Sequence, residues 1–211
     1  MMLATLLCFS LDNLDEVKAE LEDVIKAAER MLANNWEFFK DAVGAYDFNR
    51  IVYLGANCLK GIAQESQLKI LELTAGRVAT MYDSPMGFRH GPKSIINDDT
   101  LTIVYLSDDA YTRQYEVDLI KEMSPQRKGN KLMAIMNKRD EEVAGLVDFA
   151  FSFDLENEHE NAFLGFDYIV AAQVLALFKS LSYDITPDNP CPTGEVNRVV
   201  KGVILHPYTK R

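Results

Sequence analysis

The spacing of apolar positions changes near residue 50. Between Leu11 and Gly44, Val17, Leu21, Val24, Ile25, Ala28, Met31, Leu32 and Trp36 recur at helical intervals. One long amphipathic helix is predicted there, capped by Asp12 or Asn13. From Arg50 onward, short apolar runs alternate with helical patterns. Strands are predicted at Ile51–Gly55, Val78–Tyr82, Leu101–Ser107, Lys131–Asn137 and Phe149–Phe153. The segments between them include helices through Glu65 and Glu72, at Tyr111–Met123 and at Ala162–Ser180. The last reads FDYIVAAQVLALF, apolar on every face, and is predicted to be buried. Regular alternation of strand and helix implies an α/β fold: an open, doubly wound parallel β-sheet flanked by helices, with an N-terminal helical extension. In such sheets ligands bind beyond the carboxyl ends of the strands. Here those ends are Gly55–Leu59, Asp83–His90 and Ser107–Thr112.

The helix through Glu65 carries a narrow charged stripe. Glu65, Lys69 and Glu72 are spaced i, i+4, i+7 and share one face. Ile62, Ala63, Leu68, Ile70, Leu71 and Leu73 cover the others, so this helix is predicted to be buried nearly all round. Its charges then point into a cleft or into each other. An ordinary helix ion pair, worth a few tenths of a kcal/mol, fits the spacing as well as a functional cleft does.

Composition narrows the field of functions. The formal charge of −10 argues against nucleic acid and against anionic membrane surfaces as partners. Cys8, Cys58 and Cys191 are scattered without metal-type spacing, which points to reduced thiols and a cytoplasmic location. Met1–Phe9 is apolar but too short to span a bilayer, and it lacks the flanks of a secretory signal. It reads as the end of a core helix whose beginning lies outside the chain. In the tail, Pro187, Pro190 and Pro192 stiffen an extended segment that serves either to cover a site or to hold down a terminus.

Two runs are long enough to be specific. YLGANCLKGIAQESQLKILELTAG followed by DSPMGFRHGPKSIIN resembles a sugar isomerase (SIS) domain. With SDDAYTRQYEVDLI and the tail NPCPTGEVNRVVKGV, the resemblance is to the second SIS domain of the tagatose-6-phosphate ketose/aldose isomerase family, over Arg50–Tyr208. The isomerase half of glucosamine-6-phosphate synthase is a more distant relative of the same kind. This resemblance divides the chain into residues 1–45, the tail of a missing first domain plus a linker helix, and residues 46–211, the SIS domain.

It also implies roles. The synthase's L-K-x-x-E segment supplies a lysine and the glutamate that moves the proton between sugar carbons, at the positions of Lys69 and Glu72. The histidine of its His-Gly-Pro turn assists ring opening from a neighbouring subunit and matches His90. By itself His90 reads as a structural histidine in a tight turn; the surrounding motif changes that reading. A tail lysine that closes over the sugar falls at Lys201. Gly55, Asn57, Arg89, Ser107 and Thr112 are the implied substrate-binding residues.

Aldose–ketose interconversion needs a carboxylate within reach of an acidic C–H and a cation beside the developing enediolate. Glu72 and Lys69 or Lys201 are of those types. Ring opening suits a group that titrates near neutrality, as histidine does.

The chain departs from the family at one place. Complete members hold the sugar phosphate in a Ser-x-Ser-Gly-x-Thr loop of the first domain, whereas here Ser107-Asp108-Asp109-Ala110-Tyr111-Thr112 stands at the corresponding strand end. A phosphate about 4 Å from a carboxylate costs roughly 1–4 kcal/mol per charge pair. The expectation is therefore a catalytic half without its phosphate-binding half, acting on a sugar phosphate without metal or organic cofactor, as a homodimer. A deaminating reaction on an amino-sugar 6-phosphate lies within the family's range. The alternatives are a non-catalytic sugar-phosphate sensor and an inactive dimerisation module.

Overall fold

Five parallel strands run in the order β2-β1-β3-β4-β5 across one sheet. The computed structural model describes residues 2–191, 193–194 and 202–208. In chain order the elements are α1 (Met2–Phe9), α2 (Leu14–Arg30), a π turn (Met31–Asn35), α3 (Glu37–Ala45), β1 (Arg50–Leu54), α4 (Leu59–Leu73), β2 (Ala79–Asp83), α5 (Pro85–Phe88), β3 (Thr100–Tyr105), α6 (Ala110–Met123), β4 (Lys131–Met136), α7 (Glu141–Leu146), β5 (Phe149–Ser152) and α8 (Asn161–Leu181). All five strands lie within a residue or two of the predicted runs. The 2-1-3-4-5 order reverses direction between β1 and β3, which makes the crevice beyond their carboxyl ends the topological switch point.

Strand side chains alternate between two cores, as their period of two requires. Ile51, Tyr53, Ile103, Tyr105, Met133 and Ile135 face α2, α3, α4 and α8 on one side. Val52, Leu54, Val104, Leu132 and Ala134 face Leu119, Ile120 and Met123 of α6 and Val143 of α7 on the other. Each fully buried Ile or Leu among them contributes about 1.5–3 kcal/mol relative to exposure. Residues of α2, the π turn and α3, including Val24, Met31 and Phe39, belong to the first of these cores. Tyr168 of α8 stacks on Tyr105 and donates its hydroxyl to the Leu106 carbonyl at 2.6 Å, fixing α8 against the end of β3.

Several expectations change. The single helix over Leu11–Gly44 is interrupted by the π turn, where Asn34 and Asn35, both weak helix formers, follow one another. Asn13 holds the N-cap position of α2, but its side chain makes no capping hydrogen bond. The Met2–Phe9 segment is helical yet contains no buried residue; Met2, Leu6 and Leu7 only rest against the core, and Phe9 is exposed. Two short helices arise where loops were expected. Ser84 caps α5 by accepting from the Gly87 N–H, and Asp140 caps α7 by accepting from the Val143 N–H. The α8 helix is long and apolar enough to cross a membrane, but over half of its most apolar stretch is buried in the domain. Lys179 of α8 is fully buried and bonds Asp47 at 2.8 Å.

Candidate active site

The predicted site residues fall into three groups. The first is the stripe on α4. Lys69 Nζ lies 3.2 Å from Glu65 Oε1 and 3.0 Å from Glu72 Oε2. Burial alone would lower the ammonium pKa, but the hydrogen bonds to Glu72 and Glu65 hold it above the ordinary lysine value. The expectation of all-round burial fails here. Ile62, Ala63, Ser66 and Ile70 are buried, whereas the side chains of Glu65 and Glu72 keep about half their exposure. Leu71, beside them, is exposed as well. The charges thus point into each other on an open face, and that face is partly apolar.

The second group lies at the switch point. Gly55 ends β1 under α4, and a Cβ on it would stand 2.4 Å from the Leu59 carbonyl oxygen, so only glycine lets the helix start so close to the strand. Asn57, in the left-handed region at φ 50°, donates to Thr112 Oγ1 at 3.3 Å across the crevice. Ser107 is buried, and both its N–H and its hydroxyl donate to Glu116 Oε2, at 2.8 and 2.9 Å. Glu116 was missed in the sequence. Burial raises its carboxyl to about 7, against the opposing hydrogen bonds from Ser107. Asp109 caps α6: its Oδ1 accepts from the Thr112 N–H at 2.7 Å, and the hydrogen bonds of the Thr112 side chain first and of that N–H second keep this carboxyl below its usual range. Asp108 accepts from Asn137 and from the His159 N–H. The protein's own carboxylate therefore holds the helix N-terminus that would cradle an anion.

The third group is the turn after α5. His90 and Gly91 are exposed. Arg89 and Lys93, on either side, both bond Glu122 of α6.

The structure sets the stripe apart from the carboxyl ends of the strands. Lys60, in the first turn of α4, is tied to Asp83 at the carboxyl end of β2 by a 2.8 Å bond. Glu72 lies about twelve residues farther along, roughly 18 Å toward the amino ends of the strands. Lys201 lies outside the described residues. A cavity of about 290 Å³ opens against the π turn and the end of β5, away from all three groups, and one of about 130 Å³ opens beneath Lys93 of the third. Among the described residues no cluster of His, Cys, Asp or Glu is arranged to hold a metal ion.

A five-stranded 2-1-3-4-5 parallel sheet with these helices is a doubly wound sugar-isomerase architecture. No family model matches the chain. It is 40% identical over 210 residues to the D-galactosamine-6-phosphate deaminase AgaS of Shewanella sp. strain ANA-3, covering all of this chain and 50% of that protein. A Clostridium novyi NT structure, solved as a candidate tagatose-6-phosphate ketose/aldose isomerase, superposes with a TM-score of 0.93 at 48% identity, over 98% of this chain and 53% of that one. The tagatose-6-phosphate ketose/aldose isomerase of Escherichia coli superposes with a TM-score of 0.77 at 37% identity, over 89% and 47% of the two chains. The chain is an SIS domain of the kind found in tagatose-6-phosphate ketose/aldose isomerases. It spans about half the length of the curated relatives it matches.

Proposed function

We propose that this chain is the proton-transfer half of a sugar-phosphate ketose/aldose isomerase, corresponding to the second SIS domain, whose site is completed by a phosphate-binding half. The observation that carries this reading is the Glu65–Lys69–Glu72 stripe. Lys69 and Glu72 stand at the family's L-K-x-x-E positions, and the carboxylates of Glu65 and Glu72 are both half-exposed around the lysine.

Glu72 would take the proton from C2 of the open-chain sugar, Lys69 would neutralise the enediolate oxygen, and the same carboxylate would return the proton to C1. With a 2-amino sugar the product of that transfer is a ketimine; water adds to it and ammonia leaves. The names of the AgaS relatives favour this deaminating course, on an amino-sugar 6-phosphate. His90 would move the ring proton during opening, and Lys201 would close over the substrate. No metal or organic cofactor takes part in this sequence. We place the protein in the cytoplasm, in keeping with the scattered cysteines and exposed thiols at Cys8 and Cys58.

A homodimer is part of the proposal, because Leu71, Met86 and Leu181 are exposed on the helical faces. Light scattering at micromolar concentration is expected to give twice the chain mass, and a monomer would remove the dimer from the account.

Phosphate binding supplies a separate check. With Asp109 on the Thr112 N–H, the chain alone is expected to bind sugar 6-phosphates no more tightly than millimolar by calorimetry. Micromolar binding abolished by Thr112→Val would show that the loop serves phosphate despite its carboxylates. Saturable binding of that strength without turnover in the completed enzyme would favour the sensor reading.

A further inference from the structure

We propose that Glu122 on α6 is the positioning residue of the His90 turn. Its carboxylate spans that turn from the neighbouring helix α6, which packs against α5: Oε2 accepts from Arg89 Nε and Oε1 from Lys93 Nζ, each at 2.5 Å. These two cations bracket His90-Gly91-Pro92, so one side chain fixes both ends of the segment.

Beyond the turn, Ile95 and Ile96 pack against the core and the Arg50 guanidinium donates to the Ile95 carbonyl, but these contacts act downstream of His90 and Gly91. His90 is exposed, and its imidazole makes no hydrogen bond with another described residue, so its place depends on the backbone that carries it. Phe88 anchors the approach in the core, but beyond it Lys93 borders the 130 Å³ cavity with Ile96, Met123 and Gln126. Packing beneath the turn is therefore incomplete, and the charge-assisted bonds to Glu122 stand in for it. Gln126, one helical turn beyond Glu122, accepts a second bond from Lys93 at 3.2 Å and keeps that lysine over α6. The carboxyl of Glu122 is held below its usual range by Lys93 first and Arg89 second, so it carries its charge throughout the neutral range. The catalytic side of the inference rests on the role proposed above for His90; the clamp itself does not.

Glu122→Gln keeps the shape but removes the charge that holds two cations at once. In the chain alone, the heteronuclear NOEs of the His90 and Gly91 amides are expected to fall, with the melting temperature nearly unchanged. Glu122→Asp, which keeps the charge on a shorter stem, should fall between. If Glu122→Gln does not fold, Lys93→Met releases one end of the turn and should loosen Gly91 in the same measurement. Amides as ordered as in the parent chain would overturn the clamp.

In an enzyme completed with a phosphate-binding half, Glu122→Gln should lower kcat on the cyclic sugar by roughly 10-fold or more, with KM and the open-chain substrate little affected. Equal loss on both substrates would contradict positioning for ring opening. If His90→Asn leaves cyclic-sugar turnover unchanged, the catalytic role of His90 fails, while the amide measurement still decides the clamp.

Discussion

Glu72→Gln, made in the chain completed by a phosphate-binding SIS half, is expected to slow isomerisation by about 10²–10⁴-fold. The amide keeps the size and hydrogen-bonding reach of the carboxylate, so Lys69 still has a partner, but the base is gone. KM should change little, since the phosphate supplies most of the binding and is held elsewhere. Lys69→Met should reduce turnover on cyclic and open-chain sugars equally if the ammonium faces the enediolate. His90→Asn should reduce only the cyclic reaction. If Glu72→Gln kept most of its activity, the stripe would be the surface ion pair that its spacing equally allowed.

The second large effect concerns stability. Asp167 of α8 is fully buried, neither carboxylate oxygen has a hydrogen-bond partner among the described residues, and burial raises its pKa to about 8, with Arg30 pulling the other way. A carboxyl that ionises near 4 in the unfolded chain and near 8 in the folded one makes the unfolded chain progressively more favourable between those values. Stability is thus fullest below about pH 4 and is lost as pH rises through the folded-state value. Asp167→Asn removes the ionisation and keeps the shape, so urea unfolding at pH 8.5 should show a gain of about 5 kcal/mol. The gain should shrink toward zero near pH 4. An equal gain at both pH values would mean that Asp167 does not titrate across this range.

The strands were legible because a parallel sheet covered on both faces demands short, continuous apolar runs, and IVYL, LTIVY and KLMAIM are such runs. The short helices carried their signals openly, Ser84 before Pro85 and Asp140 before two glutamates, but at four and six residues their periodicity is too brief to see. Glu116 and Glu122 could not be read from spacing, because their partners lie 9 and about 30 residues back and meet them only once α6 folds beside its strand. Asp167 did leave a trace, a lone carboxylate between aromatics in an otherwise apolar helix. The motif residues were legible by resemblance alone. Periodicity placed Glu65, Lys69 and Glu72 on one face but gave the wrong burial, because Leu71 and its neighbours turn outward.

On the proposed function, Glu72 moves a proton at the sugar's C2 only when another half holds the phosphate. Deuterium uptake at C2 of an amino-sugar 6-phosphate in heavy water, followed by NMR, reports that step directly. The chain alone should show none, the chain joined to a phosphate-binding SIS half should show rapid uptake, and Glu72→Gln should abolish it. Uptake that persisted in the Glu72→Gln protein would contradict the account.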